Sequence, residues 1–371
     1  MSNTLLLNSF EVRGFRVFRH LKIERLGRVN LITGKNNVGK SCLLEALWLY
    51  ATRGSLLTMR QLLNARDEGV REVNQDRHIT KNWSVRNLFW ERKPLEEQLE
   101  PMQLGPVDLL ERTLQIEIVW YEEQIGSQGQ RQWALAKGQV DSVAALPGVR
   151  ILWGNQIILS YPFEIDLPEL SQLILPKRFK ELQLFHTFVP ANGLSREDLA
   201  LWWDKIALTE LEQDVIAALR LIAHGVERVN LVGRSGGDGD RIPLVKLAGI
   251  SEPLSLRSLG DGMNRLFGIA LALVNAKGGM LLIDEIDNGL HYTVQLDLWR
   301  MVFAVAERLN IQVFATTHSW DCIRAFQQAS AQDAASSGIL IRLSERDGDI
   351  AATLFDERRL AIATREQIEV R

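Results

Sequence analysis

The chain is poor in cysteine and carries no strong excess of charge of either sign. Its 371 residues include two cysteines, Cys42 and Cys322, which are too few for a disulfide framework or a four-ligand zinc site. The 43 basic and 46 acidic side chains give a formal net charge of -3, which argues against a uniformly basic nucleic-acid-binding protein. A local basic face is still compatible with this balance.

Long hydrophobic runs are also absent. No apolar stretch approaches the ~20 residues needed to span a membrane, and the N-terminus lacks the basic, apolar and small-residue segments of a signal peptide. Hydrophobic residues make up 46% and charged residues 24% of the chain, which are the proportions of an ordinary globular protein. We therefore expect a soluble cytoplasmic protein with one large α/β domain or two modest ones.

The spacing of apolar residues predicts strands near the N-terminus and a regular alternation of strands and helices in the last third of the chain. Residues 7–33 show three strand patterns, helical spacing begins at Ser41, and the polar segment 54–110 indicates short helices and loops. Later elements are predicted as strands at 113–121, 131–137 and 151–161, a helical stripe over 199–222, a helix near 262–276, a strand at 279–283, a helix near 291–309, a strand at 311–316, a helix near 319–329 and a strand near 339–343. Such alternation predicts a largely parallel sheet covered by helices.

The clearest motif is a glycine-rich loop between a buried strand and the start of a helix. Residues 34–41, called the P-loop below, read GKNNVGKS, a complete G-x-x-x-x-G-K-S pattern. The backbone N–H groups of such a loop point at phosphates, and the following helix adds its positive end. Lys40 is expected to reach the β- and γ-phosphates, and the Ser41 hydroxyl to bind Mg²⁺. The nucleotide-binding residues predicted here are Gly34, Lys35, Asn36, Asn37, Val38, Gly39, Lys40, Ser41 and Cys42.

Two later strands end in groups that suit triphosphate hydrolysis. The apolar run 280–283 ends in Asp284, which suits Mg²⁺, and Glu285, which suits the orientation or deprotonation of an attacking water. An apolar strand that merely ends in surface acids is an equally common interpretation. His318 follows the strand at 311–316, where α/β sheets bind ligands, and is suited to a hydrogen bond with the γ-phosphate. A lone histidine is more often structural.

A third element combines glycines with a hydroxyl before a helix. Residues 258–262, called the signature turn below, read SLGDG. Exposed amides and a hydroxyl at a helix N-terminus suit phosphate, although a simple cap and turn explains the same letters. The order P-loop, signature turn, Asp284-Glu285 and His318 resembles that of ABC-type ATPases of the SMC/RecF/OLD branch. In that family the Ser-x-Gly-x-Gly element completes the nucleotide site of a partner subunit.

The resemblance covers residues 9–50 and 220–326 and implies a fold and a set of ligands. It implies a P-loop NTPase with an ABC-type ATPase head, in which a mostly parallel sheet is flanked by helices and joined by an N-terminal β-rich lobe. The implied ligands are ATP and Mg²⁺, and the implied partner is a second copy, as an ATP-sandwich dimer or a higher homo-oligomer. The implied site residues are Ser258, Gly260, Asp261 and Gly262 for nucleotide, Ser41 and Asp284 for the metal, and Glu285 and His318 for catalysis.

On this basis residues 1–371 are expected to form one head. Its segments are a P-loop lobe at 1–165 with an irregular insertion at 54–110, a helical and strand linker at 166–257, and a lobe at 258–371 with the signature, Walker B and H-loop elements. The family's Q-loop glutamine cannot be placed; Gln61 and Gln75 are the candidates. We expect no long coiled coil, because prolines interrupt the middle of the chain, and no fused nuclease, because 53 residues follow His318.

Basic residues recur every three positions near the N-terminus, at Arg13, Arg16, Arg19, Lys22, Arg25 and Arg28. Because alternate strand faces scatter a three-residue period, a solvated edge is the default interpretation. The more specific alternative is a contact of Arg13 or Arg16 with adenine or with a nucleic-acid phosphate. Family members also carry an aromatic-Arg stretch here, which residues 14–18 match.

Three functions are compatible with these observations. The first is an ATP-driven switch; a short head of this kind resembles the ATPase subunit of PARIS-type antiphage defence systems, which implies a separate TOPRIM-type effector nuclease and a phage trigger protein as partners. The second is a RecF-like DNA repair and recombination ATPase that acts directly on DNA. The third is a scaffold that holds ATP as a structural ligand without turnover. A neighbouring gene for an effector nuclease would favour the first.

Overall fold

The computed structural model of the protein describes residues 5–73, 79–83, 85–94, 99–125, 131–136, 145–162, 183–233, 241–332 and 338–366. Within these ranges no helix combines the length and the apolar character that crossing a membrane requires. The strands are β1 (Phe10–Phe15), β2 (Phe18–Ile23), β3 (Val29–Thr33), β4 (Gly69–Val73), β5 (Ile79–Trp83), β6 (Met102–Gly105), β7 (Leu114–Ile125), β8 (Arg131–Leu135), β9 (Ala145–Trp153), β10 (Gln156–Pro162), β11 (His186–Val189), β12 (Val226–Gly233), β13 (Arg241–Leu247), β14 (Leu254–Ser255), β15 (Met280–Ile283), β16 (Gln312–Thr316), β17 (Gly338–Arg346) and β18 (Asp349–Phe355). The helices are α1 (Lys40–Ala51), α2 (Leu56–Asn64), α3 (Arg196–Ile206), α4 (Glu210–Leu219), α5 (Asp261–Asn275), α6 (Tyr292–Arg308), α7 (Trp320–Ser330) and α8 (Glu357–Arg365).

An antiparallel sheet contains most strands of the N-terminal half. Its order is β10-β9-β7-β6-β1-β2, with β8 paired to β7. In β1 the side chains alternate, with Phe10 and Val12 buried and Arg13 exposed, as expected for a sheet that buries one face. The stretch predicted as one strand at 151–161 is a hairpin of β9 and β10 that turns at Gly154, where φ is +57°. That backbone conformation favours glycine.

A second sheet is mostly parallel and lies at the centre of the described chain. Its order is β11-β15-β16-β3-β17-β18, and all neighbours are parallel except β17 and β18. Every residue of β3, β15 and β16 is buried, because helices or strands cover both faces of the sheet. The predicted fold, a mostly parallel sheet flanked by helices beside an N-terminal β-rich lobe, is confirmed.

The central sheet separates two hydrophobic clusters. Leu31 of β3 packs in the cluster that contains Phe267 of α5 and Trp299 of α6. Its neighbour Ile32 belongs to the cluster that contains Leu47 of α1 and the inner face of the antiparallel sheet. Because successive side chains of a strand point to opposite faces, β3 contributes to both cores. Helix α1 is thereby fixed between the two sheets.

Three segments differ from the sequence prediction. The stripe over 199–222 is two helices, because Leu208 adopts φ +64° and interrupts the helix. The Thr209 hydroxyl donates to the Ile206 carbonyl at 2.6 Å, in place of a helical backbone hydrogen bond. The polar segment 54–110 contains α2, as expected, and also the β4–β5 hairpin and β6. The segment 166–257 is more than a linker, since β11 pairs with β15 in the central sheet.

Candidate functional site

Four parallel strands of the central sheet end at the same edge. The P-loop follows β3, and an acidic loop at 284–290 follows β15. Thr317 and His318 follow β16, and a loop at 190–194 follows β11. Ligands of α/β sheets bind outside the carboxyl ends of the strands, so this edge is the candidate site. The sheet brings together the P-loop, Asp284, Glu285 and His318, which the sequence places far apart.

The path of the P-loop requires glycine at both ends. Gly34 has φ +142°, and a Cβ there would lie 2.5 Å from the carbonyl oxygen of Leu343. Gly39 has φ +92°, and a Cβ there would lie 2.7 Å from a methyl group of Val17. Helix α1 begins at the next residue, and no side chain caps its first turn. Its first N–H groups are therefore available to phosphate oxygens.

Lys40 and Ser41 are held at the mouth of this loop. The Lys40 ammonium donates to the carbonyl oxygens of Gly34 at 2.8 Å and Lys35 at 2.9 Å. Burial lowers the pKa of Lys40, while the carboxylates of Glu285 and Asp284 act in the opposite direction. The Ser41 hydroxyl donates to Asp284 Oδ1 at 3.1 Å, which joins the start of α1 to the end of β15.

Cys42, the next residue of α1, contributes only its backbone to this edge. Its side chain is 5% exposed, and its sulfur accepts a hydrogen bond from Arg66 at 3.3 Å. Burial raises the pKa of the Cys42 thiol, with Arg66 and Arg16 partly offsetting the effect. A buried thiol of this kind is a packing group rather than a nucleophile.

A chain of short hydrogen bonds organises the two acidic residues. Asp284 Oδ1 accepts from the buried hydroxyl of Thr316 at 2.6 Å, and that hydroxyl accepts from the Glu285 N–H at 2.8 Å. Glu285 adopts φ +48°, an uncommon conformation for a non-glycine residue. Thr316 was not singled out from the sequence, although its position at the end of a fully buried strand was a usable signal.

The hydroxyl of Ser41 and the carboxylate of Asp284 suit Mg²⁺. Both are hard oxygen ligands, and the hydrogen bond between them brings them within reach of one ion. Among the described residues, no group of three or more His, Cys, Asp and Glu side chains could hold a metal ion. The Ser41–Asp284 pair is the candidate metal position on the chemistry of its oxygens, and it fits a small cation that keeps several waters.

His318 lies beside Glu285 at the edge of the sheet. Its Nδ1 is 3.8 Å from Glu285 Oε1, which is an ion-pair distance only when the histidine is protonated, and its side chain is 59% exposed. The neighbouring Thr317 hydroxyl donates to Asp287 Oδ1 at 2.6 Å and fixes the acidic loop against the end of β16. His318 is thus accessible to a ligand at the site.

The signature turn leads into α5 and faces solvent. Ser258, Gly260 and Asp261 are exposed, and no side chain caps the first turn of the helix. Gly262 approaches the acidic loop so closely that a Cβ there would lie 2.9 Å from the carbonyl oxygen of Gly289. The structure therefore joins the signature turn to the acidic loop and leaves its polar groups open to another molecule.

A cavity of about 270 Å³ lies between the loop at 190–194, α5 and the acidic loop. Asn192 and Asn264 line it from opposite sides. The Asn288 amide donates to the Ala191 carbonyl at 3.0 Å and ties its two loops together. Sequence reasoning missed the loop at 190–194, because β11 is only four residues long and carries no motif.

Of the two candidates for the Q-loop glutamine, Gln61 lies within the described residues. Gln61 is exposed on α2, in the segment that follows the far end of α1. Gln75 lies outside the described residues. The loop at 190–194 occupies the position next to the acidic loop instead.

Arg265 is a second residue that sequence reasoning missed. It lies on α5 with 7% of its surface exposed. Its guanidinium donates to the carbonyl oxygens of Asp284 at 2.6 Å, Glu285 at 2.9 Å and Pro190 at 2.7 Å. Burial lowers the pKa of Arg265, while the carboxylates of Asp284, Asp287 and Glu285 oppose the shift. An arginine in an apolar helical stripe was the available signal.

Arg16, one of the two arginines named above for a contact with adenine or a phosphate, is buried and ion-paired in the structure. Arg16 sits in the tight turn after β1 with φ +50°, and its side chain is 1% exposed. It forms ion pairs with Glu45 at 2.5 Å and Glu68 at 2.9 Å, so its charge serves the contact between α1 and the turn. The Arg16 guanidinium is thus buried among carboxylates, and the three-residue spacing of the N-terminal basic residues does not mark a binding surface at this position.

The other N-terminal basic residues named for this period have acidic partners. Arg13 lies 2.7 Å from Glu11, and its side chain is 51% exposed. The further pairs on this surface are Arg19–Asp349, Lys22–Asp108 and Arg25–Asp356, with distances of 4.0, 4.0 and 3.5 Å. Interleaved acids reduce the local positive potential, so a solvated edge is the better interpretation.

Comparison with known proteins agrees with this geometry. Residues 164–321 match the protein-family profile described as "AAA domain, putative AbiEii toxin, Type IV TA system". The matched stretch contains Ser258, Asp284, Glu285 and His318, whereas the P-loop precedes it.

Two curated relatives match the chain, one over most of its length and one over a short segment. The chain is 23% identical over 345 residues to the "ATP/GTP phosphatase" of Helicobacter pylori, covering 87% of this chain and 88% of that protein. It is 45% identical over 58 residues to the DNA replication and repair protein RecF of Thioalkalivibrio sulfidiphilus, covering 16% of each chain.

Solved SMC heads share the fold. One structure, an SMC head bound to the C-winged helix domain of ScpA, has a TM-score of 0.51 at 14% identity and covers 94% of this chain and 98% of that one. An SMC head with an extended coiled coil, bound to the C-terminal domain of ScpA from Pyrococcus furiosus, has a TM-score of 0.50 at 10% identity, covering 98% and 99%. These similarities show that the chain has the fold of an SMC head and matches the AAA-domain profile over residues 164–321.

Proposed function

We propose that two copies of the chain pair head to head around two ATP molecules and act as an ATP-driven switch. The observation that carries the proposal is the single sheet edge at which Lys40, Ser41, Asp284 and Glu285 meet, with the signature turn exposed beside it. The edge supplies donors for phosphates and a carboxylate for water, which are the elements of phosphoryl transfer. The signature turn supplies a second set of donors that this chain's own side chains do not cap.

Within one site each residue has a separate task. The P-loop amides and Lys40 bind the β- and γ-phosphates, and Mg²⁺ held by Ser41 and Asp284 would neutralise part of their charge. Glu285 orients and deprotonates the attacking water, because its backbone is fixed by Thr316 with the carboxylate at the open edge. His318 lies next to Glu285 and would donate a hydrogen bond to the γ-phosphate.

The exposed signature turn is the reason to expect that two copies of the chain pair. Ser258, Gly260 and Asp261 present a hydroxyl and uncapped amides to solvent, and a partner's γ-phosphate suits both. The similarity to SMC heads supports a surface of this kind, since the fold places the signature turn and the P-loop on one head. Each copy would then supply half of each nucleotide site.

The test uses Glu285→Gln, which keeps the size of the side chain and removes its basic carboxylate. With Mg²⁺ and ATP we expect this variant to retain nucleotide and to migrate at about twice the 42.0 kDa of one chain. Lys40→Ala should stay a monomer under the same conditions, because it lacks the phosphate-binding ammonium. A single-chain mass for Glu285→Gln at saturating ATP, or wild-type turnover by it, would remove the proposed role.

The finer role that we propose for the switch is a sensor in bacterial antiphage defence, with a TOPRIM-type effector nuclease as the separate partner and a phage protein as the trigger. Support comes from the family profile, whose name refers to a toxin of a type IV toxin–antitoxin system. The experiment is co-expression with a nuclease encoded beside the gene, followed by affinity capture with ATP or ADP. Capture that is independent of nucleotide, or absent with both, would count against control of the nuclease by the switch.

A RecF-like DNA ATPase is the second candidate, and the local similarity to RecF favours it. It predicts stimulation of ATP hydrolysis by duplex DNA, with a steep decrease of binding as salt rises. The acid-paired arginines on β1 and β2 make that surface a poor phosphate contact. Unchanged turnover with and without duplex DNA at low salt would exclude this candidate.

A further inference from the structure

Arg265 connects the helix that carries the signature turn with the acidic loop that carries Asp284 and Glu285. Its helix, α5, carries the signature turn at its N-terminus, and its guanidinium binds the carbonyl oxygens of Asp284 and Glu285. The same guanidinium also binds the carbonyl oxygen of Pro190, at the end of β11. One buried side chain therefore joins the signature helix, the acidic loop and the neighbouring strand end.

Close backbone contact reinforces this connection. Gly262 lies one helical turn before Arg265 and packs on the Gly289 carbonyl without room for a side chain. Asn288 completes the arrangement by donating to the Ala191 carbonyl. At the Gly262–Gly289 contact the atoms have no space to shift separately, so a displacement of α5 at Gly262 moves the acidic loop with it.

The conformation of Glu285 depends on such support. Its φ of +48° is costly for a residue with a Cβ and persists only where its surroundings fix it. Thr316 holds its N–H, and Arg265 holds its C=O. The two contacts fix both polar groups of the Glu285 backbone and so limit where its carboxylate can lie.

We propose that Arg265 is a positioning residue that ties Glu285 to the signature helix of the same chain, so that capture of a partner's ATP at the signature turn controls hydrolysis in the chain's own site. The proposal rests on the proposed function, in which the signature turn binds the partner's nucleotide. Arg265 itself touches no reacting atom; it acts through the backbone of Asp284 and Glu285. The two sites of a pair are then coupled through α5 of each copy.

The test measures turnover, nucleotide affinity and thermal stability of the full chain. Arg265→Met removes every donor and keeps the apolar stem, and Arg265→Lys keeps the charge but cannot reach three carbonyls. Arg53→Met is the matched control, because Arg53 is 4% exposed and also donates to a backbone carbonyl, that of Tyr50 at 2.8 Å. Arg53 follows the far end of α1 from the P-loop.

We expect Arg265→Met to lower kcat by roughly 10- to 100-fold, since a displacement of ~1 Å at a catalytic group has an effect of that size. The KM and the affinity for a non-hydrolysable ATP analogue should stay within about twofold, because the P-loop is untouched. Arg265→Lys should give an intermediate kcat, and the Hill coefficient for ATP should fall towards 1 in both variants. Arg53→Met should lower the melting temperature and leave kcat unchanged.

A double variant shows whether Arg265 acts through Glu285. Adding Arg265→Met to Glu285→Gln should reduce the residual turnover by less than about twofold, because the group that Arg265 positions is already disabled. If the two changes instead lower turnover by the product of their separate effects, the proposal is overturned. It is also overturned if Arg265→Lys keeps the wild-type kcat while Glu285→Gln pairs with ATP. A monomeric Glu285→Gln at saturating ATP would instead overturn the proposed function, and with it the coupling between sites.

Discussion

At the scale of the residue, the candidate site depends on charges that the backbone holds in place. Lys40 is fixed by two carbonyl oxygens of its own loop, and Arg265 by three carbonyl oxygens of two other loops. The P-loop residues could be predicted from the sequence, because a contiguous motif encodes both their identity and their path. For Arg265 and Thr316 the sequence signal marks the position but not the role, since their roles come from contacts between segments distant in the chain.

Nucleotide affinity should depend on pH through Lys40. Burial lowers the pKa of Lys40 below the 10.5 of an ordinary lysine, and a bound phosphate would raise it again by attraction. Affinity is then complete below the lowered pKa, where the ammonium is charged. It falls by up to about tenfold per pH unit as the pH rises above that value, because binding must take up a proton.

The measurement for this prediction is the dissociation constant of an ATP analogue from neutral pH to pH 10.5, the ordinary lysine value. Lys277→Ala, a change at an exposed lysine after α5, serves as a control and should reproduce the wild-type curve. A flat affinity over the whole range would show that Lys40 keeps an ordinary pKa or does not bind phosphate.

Arg16 is expected to matter for stability and not for nucleotide. Replacing Arg16 with Met leaves the carboxylates of Glu45 and Glu68 without their buried partner, and losses of about 3–5 kcal/mol in the free energy of unfolding are typical of that change. Arg13→Met, at an exposed pair, should lose less than about 1 kcal/mol. Urea denaturation without nucleotide measures the free energy of unfolding of both variants. If Arg16→Met instead lowers nucleotide affinity and leaves stability intact, Arg16 contacts nucleotide.

At the scale of the element, α5 shows which features a pattern can and cannot predict. Its span near 262–276 follows from apolar periodicity, and the structure gives Asp261–Asn275. A local cap of the same predictable kind begins α3, where the Ser195 hydroxyl accepts from the Asp198 N–H at 3.0 Å. The contact of Gly262 with the acidic loop is a tertiary feature that periodicity does not encode.

Two glycines of α5 provide a matched test of that contact. Gly262→Ala places a Cβ 2.9 Å from the Gly289 carbonyl oxygen, so the N-terminus of α5 must move away from the acidic loop. Gly268→Ala meets Leu194 at an ordinary 3.6 Å. Alanine favours a helix over glycine by roughly 0.5–1 kcal/mol, so both changes would be neutral or stabilising without the clash.

We expect Gly262→Ala to lower kcat by about tenfold or more, because the signature turn and Glu285 lose their alignment. Gly268→Ala should keep wild-type kcat and an equal or higher melting temperature. Steady-state hydrolysis and thermal unfolding of the two variants decide the matter. Equal kcat values for both would mean that the contact at Gly289 has no part in the reaction.

At the scale of the whole molecule, the sheet gathers a site from segments that are hundreds of residues apart in the chain. The parallel core could be predicted, because buried strands alternate with amphipathic helices after residue 262. The contribution of β11 could not, since its four residues read HTFV, which is too short and too mixed in polarity to indicate a central strand until their pairing with β15 is known. The place of β3 between β16 and β17 is what puts the P-loop beside Asp284.

Complementation between two inactive variants tests the shared site most directly. Lys40→Ala disables the P-loop and keeps the signature turn, whereas Ser258→Arg blocks the signature turn and keeps the P-loop. A mixed pair of these chains contains one complete site, formed by the P-loop of the Ser258→Arg chain and the signature turn of the Lys40→Ala chain. We predict that neither variant alone pairs at saturating ATP and that mixing them yields ATP-dependent pairs with one chain of each kind, measured by mass; a mixture that forms no more pairs than the separate variants would contradict a site shared between two copies.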